Sequence, residues 1–180
     1  MKIIKSSLVS VFLLILFSSL AVAQSLSFNF NNSYATADFS ATFPEPDGKN
    51  VLFSTQAIKT NDDKDTVTVN FYSESLKNDN VNFLILYTIV PFTPESDTVA
   101  LDRMLDRGFG NMAMKISTRQ NMAFGGLSGR SAAGSNDNMV AFMRVAVTGN
   151  RLWSAIVTCS TNYCSQSDAD NFFDSVKLMQ

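Results

Sequence analysis

Cys159 and Cys164 are the chain's two cysteines, four residues apart in Cys-Ser-Thr-Asn-Tyr-Cys. In an oxidising compartment, so close a pair is expected to form a disulfide that closes a short loop. A redox-active dithiol is the competing chemistry. It ordinarily has two intervening residues at the start of a helix, which this segment does not offer. A zinc site needs more ligands than these two thiols supply, so no metal is assigned here.

Other residues with chemical potential are weighed in the same way. Ser128 lies among glycines, but Arg130 stands where a Gly-x-Ser-x-Gly elbow needs its last glycine. The sequence contains no histidine. That removes the usual general base near neutral pH, the histidine-dependent nucleophile systems and the commonest metal ligand. A Ser-Lys hydrolase using Ser128 and Lys115 is the remaining enzymatic alternative. Asn61, Asp62, Asp63 and Asp65 resemble the start of a calcium loop, yet they lack its central glycine and closing glutamate and read as a solvated hairpin tip. Methionines at 104, 112, 114, 122, 139 and 143 could offer thioethers to Cu(I), which makes a Met-rich copper-binding protein a second alternative. Their commoner role is to fill gaps in a core. Arg144 interrupts an otherwise apolar strand; it snorkels to an edge, pairs with an acid, or is the candidate ligand-binding residue.

Residues with these roles need a scaffold, and the chain's ends and composition bound it. Lys2 and Lys5 precede an uncharged apolar run from Leu8 to Leu20, followed by Ala21-Val22-Ala23. This pattern predicts a signal peptide over 1–23 and a single mature domain over 24–180, periplasmic or secreted. The apolar run is shorter than the roughly 20 residues of a membrane span, so no stable membrane insertion is expected after cleavage. Without Lys2 and Lys5, the 14 basic residues fall to 12 against 16 acidic ones, a formal charge of −4. No Lys/Arg-rich block occurs, and nucleic acid is not expected as a partner.

Alternating and continuous apolar runs predict strands over Ala37–Phe43, Asn50–Ile58, Thr66–Phe71 and Val81–Val90, with a Pro44-to-Gly48 turn after the first. The last of these is apolar at nearly every position and reads as a central strand covered on both faces. Thr93-Pro94 or Ser96-Asp97 offers a helix start, and Leu101, Met104, Leu105, Gly108 and Met112 form one stripe. Strands resume around Ile116–Phe124 and Leu127–Ala132. Met139–Thr148 and Arg151–Thr158 flank Gly149-Asn150 as a tight hairpin, opposing Ala146 to Trp153 and Arg144 to Ala155. A final helix is expected with Ser167 as its cap and Phe172, Phe173 and Val176 as its packing face. The fold class is therefore α+β, an antiparallel sheet with helices packed on its faces. A β-barrel or β-sandwich with peripheral helices is the alternative.

Asp38-Phe39-Ser40-Ala41-Thr42-Phe43-Pro44 resembles the opening segment of PsbP-like and DcrB-like proteins. Gly126-Leu127-Ser128-Gly129-Arg130 resembles their small-residue turn between strands. Asn150-Arg151-Leu152-Trp153, with Phe172, Phe173, Ser175 and Val176, resembles their last hairpin and terminal helix. The resemblance implies an α/β/α sandwich and a non-enzymatic accessory or binding role in the cell envelope, without a cofactor and with an unidentified protein or small-molecule partner.

Overall fold

The computed structural model describes residues 28–44, 52–59, 66–76, 80–90, 94, 96–161 and 163–179; 52–59 and 66–76 are described by backbone alone. The expected leader, the Pro44-to-Gly48 turn beyond Pro44, Thr93 and the acidic tip at 61–65 lie outside the described residues.

Ten strands and two helices are described: β1 (Phe30–Ala35), β2 (Phe39–Pro44), β3 (Leu52–Lys59), β4 (Thr66–Leu76), β5 (Val81–Ile89), α1 (Thr98–Asn111), β6 (Lys115–Asn121), β7 (Gly129–Ser135), β8 (Met139–Thr148), β9 (Arg151–Ser160), α2 (Gln166–Ser175) and β10 (Lys177–Leu178). A seven-stranded sheet runs β3-β4-β5-β9-β8-β7-β6, and a three-stranded sheet runs β1-β2-β10. Every pairing is antiparallel. The large sheet does not close, so the barrel alternative gives way to an open sheet layered on both faces.

The two faces have different chemistry. On one, Phe83, Ile85, Tyr87, Trp153, Ala155 and Val157 pack with Phe172 and Phe173 of α2 and with Phe39 and Phe43 of β2. On the other, Ala132, Ala141, Met143 and Val145 pack beneath Leu101, Leu105 and Phe109 of α1. Helices thus cover both faces of the sheet, and the small sheet shares the aromatic side with α2.

Two-residue side-chain periodicity explains the strand pattern. β5 sits inside the sheet as expected, but only one of its faces is sealed. Val81, Phe83, Ile85 and Tyr87 are buried, whereas Asn82, Leu84 and Leu86 are half-buried, because α1 lies over β6, β7 and β8. The β8–β9 register is as read, with Thr148 opposite Arg151, Ala146 opposite Trp153 and Phe142 opposite Val157. Gly149, at φ +57°, takes the left-handed conformation that the leading position of this turn requires.

The N-cap of α1 is Asp97, whose side chain accepts a hydrogen bond from the Ala100 N–H at 2.7 Å. Leu101, Leu105 and Phe109 recur every fourth residue and are its buried face. At its far end the Met114 N–H donates to Phe109 O and the Ala113 N–H to Gly110 O, both at 3.0 Å. This is the paired bonding of a Schellman stop, with Ala113 at φ +52° where glycine is usual. Ala113→Gly relieves the Cβ clash of that conformation. It is expected to raise stability by about 0.5–1 kcal/mol, read from urea unfolding, after the extra freedom of glycine in the unfolded chain is offset.

The cap of α2 is Ser165, two residues before the expected Ser167. Ser165 Oγ accepts from the Asp168 N–H at 3.3 Å, and Asp168 Oδ2 accepts from the Ser165 N–H at 2.8 Å. This reciprocal box satisfies two end donors at once, which a cap at Ser167 would forgo.

Candidate functional site

The β8–β9 hairpin holds two arginines on one sheet face, and their surroundings differ. Arg144, mid-strand, is enclosed beneath α2 with its side chain 4% exposed. Its Nη1 donates to Asp174 Oδ1 at 2.5 Å and its Nη2 to Asp170 Oδ1 at 2.8 Å. Phe173 lies against the guanidinium, 5.0 Å from ring centroid to Cζ. Nε has no hydrogen-bond partner among the described residues. Of the roles open to Arg144, the acid-paired one is thus present, joining sheet to helix.

Arg151 stands at the end of the sheet beside the turn. Its Nη1 donates to Asp38 Oδ1 at 2.7 Å, and the hydroxyl of Tyr87 donates to Asp38 Oδ2 at the same distance. The guanidinium also stacks over the Tyr87 ring, 5.5 Å from its centroid. Asp38 is set by the β1–β2 turn, in which Thr36 Oγ1 accepts from the Asp38 and Phe39 N–H groups. An open depression of about 290 Å³ lies here, lined by Asp38, Thr148, Asn150, Arg151 and Met179 among others. Arg151 and Asp38 keep side-chain exposures of 32% and 24%. This depression combines a fixed cation, a fixed carboxylate, the polar Thr148 and Asn150, and a thioether at its rim. Such a mixture can orient a small polar group or a peptide edge by hydrogen bonding.

Neither Asp38 nor Arg151 stood out as a site residue in the sequence. Asp38 appeared only within the opening segment, and Arg151 only as a residue of the last hairpin. The usable signal was an arginine directly after a tight turn, at the end of a strand whose next residues are apolar.

The remaining candidates are distributed elsewhere. Ser128 is exposed beside the Phe124–Leu127 bridge that closes the β6–β7 connection. Lys115 lies at the other end of that pair, opposite Ser135, so the structure does not bring the two together. Met104, Met112, Met114, Met139 and Met143 all belong to the layer that α1 forms with the sheet, among leucine, valine and phenylalanine side chains. A second charged cluster ties α1 to β6 and β7. Arg130 Nε and Nη2 hold Asp102 at 2.9 and 3.0 Å, and Arg119 pairs with Asp106. The Asp106 carboxylate pushes the Arg119 guanidinium above its ordinary range.

Cys159 and Cys164 are disulfide-bonded, as expected. Cys159, next to last in β9, is fully buried, and Cys164 immediately precedes the Ser165 cap of α2. The bridge therefore fixes where α2 leaves the sheet. Exchanging both cysteines for serine is expected to lower stability by about 2 kcal/mol, the value for so short a closed loop. Urea unfolding measures the loss, and the absence of alkylation before reduction verifies the bridge.

No family model matches the chain, and no curated protein matches it in sequence. Among the described residues, no helix is long and apolar enough to cross a membrane.

Proposed function

We propose that this chain is a non-enzymatic binding or accessory protein of the cell envelope, built on a PsbP-like or DcrB-like α/β/α sandwich, with the Asp38–Arg151 depression as its contact surface. The observation that carries this reading is the placement of Arg151. It is held by Asp38 and Tyr87 in a fixed orientation yet stays partly open to solvent, whereas Arg144 is enclosed by α2. The Cys159–Cys164 bridge supports an oxidising, extracytoplasmic compartment. The separation of Ser128 from Lys115 favours binding over Ser-Lys hydrolysis.

The test places a photo-crosslinking residue at Asn150, beside the depression, and separately at Gln120 on exposed β6, in protein made in its native host. A discrete adduct is expected from position 150, absent from position 120 and lost on Arg151→Glu. Equal adducts from both positions, or labelling of Ser128 by a serine-directed fluorophosphonate, would reject the reading.

A further inference from the structure

The two sides of the large sheet differ in oxidisable sulfur. Five of the chain's eight methionines, Met104, Met112, Met114, Met139 and Met143, belong to the layer between α1 and the sheet, and the buried residues of the opposite, aromatic layer include none. Met114 and Met143 are buried, but Met104, Met112 and Met139 are half-buried at its margin. Partial exposure of this kind is the route by which a small oxidant reaches a thioether without unfolding. The helix also lies very close to this sulfur. A Cβ built on Gly108 would meet Met143 Sδ at 2.7 Å, so the thioether sits directly against the helix backbone.

We propose that this layer is a modification site for peroxide-class oxidants, and that its sulfoxidation releases α1 from the sheet while the α2 side stays folded. In each event a thioether lone pair attacks one peroxide oxygen and the O–O bond breaks. Sulfur is oxidised by two electrons to the sulfoxide, and the departing hydroxide leaves as water with the proton lost from the transferred oxygen. The new S–O dipole then stands at an apolar helix–sheet contact, where an unpaired polar group is penalised. The flanking Asp102 and Asp106 pairs with Arg119 and Arg130 are partly exposed and lie outside the apolar contact that sulfoxidation disrupts. On the other face, α2 is retained by the Cys159–Cys164 bridge and by aromatic contacts that contain no thioether.

The test exposes the mature, disulfide-bonded protein to graded hydrogen peroxide, followed by peptide mass spectrometry and amide hydrogen exchange. Met179, exposed and outside both layers, should oxidise without structural effect. Oxidation of Met104, Met112 and Met139 should then coincide with a fall of about tenfold or more in the exchange protection of α1, with α2 unchanged. A methionine sulfoxide reductase should restore the protection, and the Met104→Leu, Met112→Leu, Met139→Leu variant should retain it under peroxide. Three outcomes on the wild-type protein alone would overturn the proposal: sulfoxides at these positions with α1 protection intact, a loss shared equally by α1 and α2, or a layer that stays reduced until the whole protein unfolds.

Discussion

Replacing Trp153 with alanine is expected to lower the unfolding free energy by about 3–5 kcal/mol, because it empties the largest fully buried side chain of the protein into a layer that cannot collapse around the gap. The indole lies 4.6 Å from the Tyr87 ring and 6.3 Å from Phe39, centroid to centroid. Its cover thus includes β2 of the small sheet. The α2 aromatics cover another part of the same face, with Phe172 5.2 Å from Phe83. Trp153→Phe is a useful companion. It keeps an aromatic in place and removes an indole N–H that has no hydrogen-bond partner among the described residues, so its cost should be nearer 1 kcal/mol. Asn150→Ala provides a reference at the turn, losing the bond from its Nδ2 to Val90 O at 3.1 Å and about 1 kcal/mol. Urea unfolding followed by circular dichroism ranks the three. The wild-type protein, with its single tryptophan, should emit at short wavelength until it unfolds.

Gly134→Ala should be the second costly change, at about 3 kcal/mol. A Cβ at this position of β7 would stand 2.5 Å from Lys115 O and 2.7 Å from Phe109 Cε1. The first contact is backbone of the paired strand β6 and cannot swing away. The second is the buried ring through which α1 seats on the sheet. The substitution must therefore part β6 from β7 or lift the helix, and hydrogen exchange should show lost protection in both. Gly110→Ala on the same helix has open space around its Cβ and is expected to stabilise by up to about 1 kcal/mol through helix propensity. Opposite signs from two Gly→Ala changes would separate the steric cause from a general effect of composition.

The β8–β9 hairpin was fully legible because a two-residue turn leaves no freedom of register. The stripe of α1 was legible from its spacing, although Phe109 was not named in it; Gly108 and Gly110 on either side obscured where the helix ended. β1 was missed because Phe-Asn-Asn-Ser-Tyr-Ala gives little apolar alternation, and β10 because two residues carry no periodicity. The acid partners of Arg144 had a signal in Asp170 and Asp174, one helical turn apart beside Phe173. The Asp38–Tyr87–Arg151 group had one only in Arg151, directly after the tight turn. Its members are 49 and 113 residues from Asp38 along the chain, and only the docking of one sheet on another brings them together.

The β5–β9 pairing has a consequence for the order in which the molecule can assemble. β3, β4 and β5 are joined by consecutive hairpin pairings, as are β6, β7, β8 and β9, and the two groups meet along a single seam between Val81–Ile89 and Arg151–Cys159. Each group can zip locally, but the seam must close a loop that includes the whole of α1, and non-local closures of this kind slow folding. A chain emerging from its amino end presents β5 as an unpaired edge until β9 is available, the interval in which edge-to-edge association with another copy is most favoured. The small sheet is completed later still, when Leu178 pairs with Phe39.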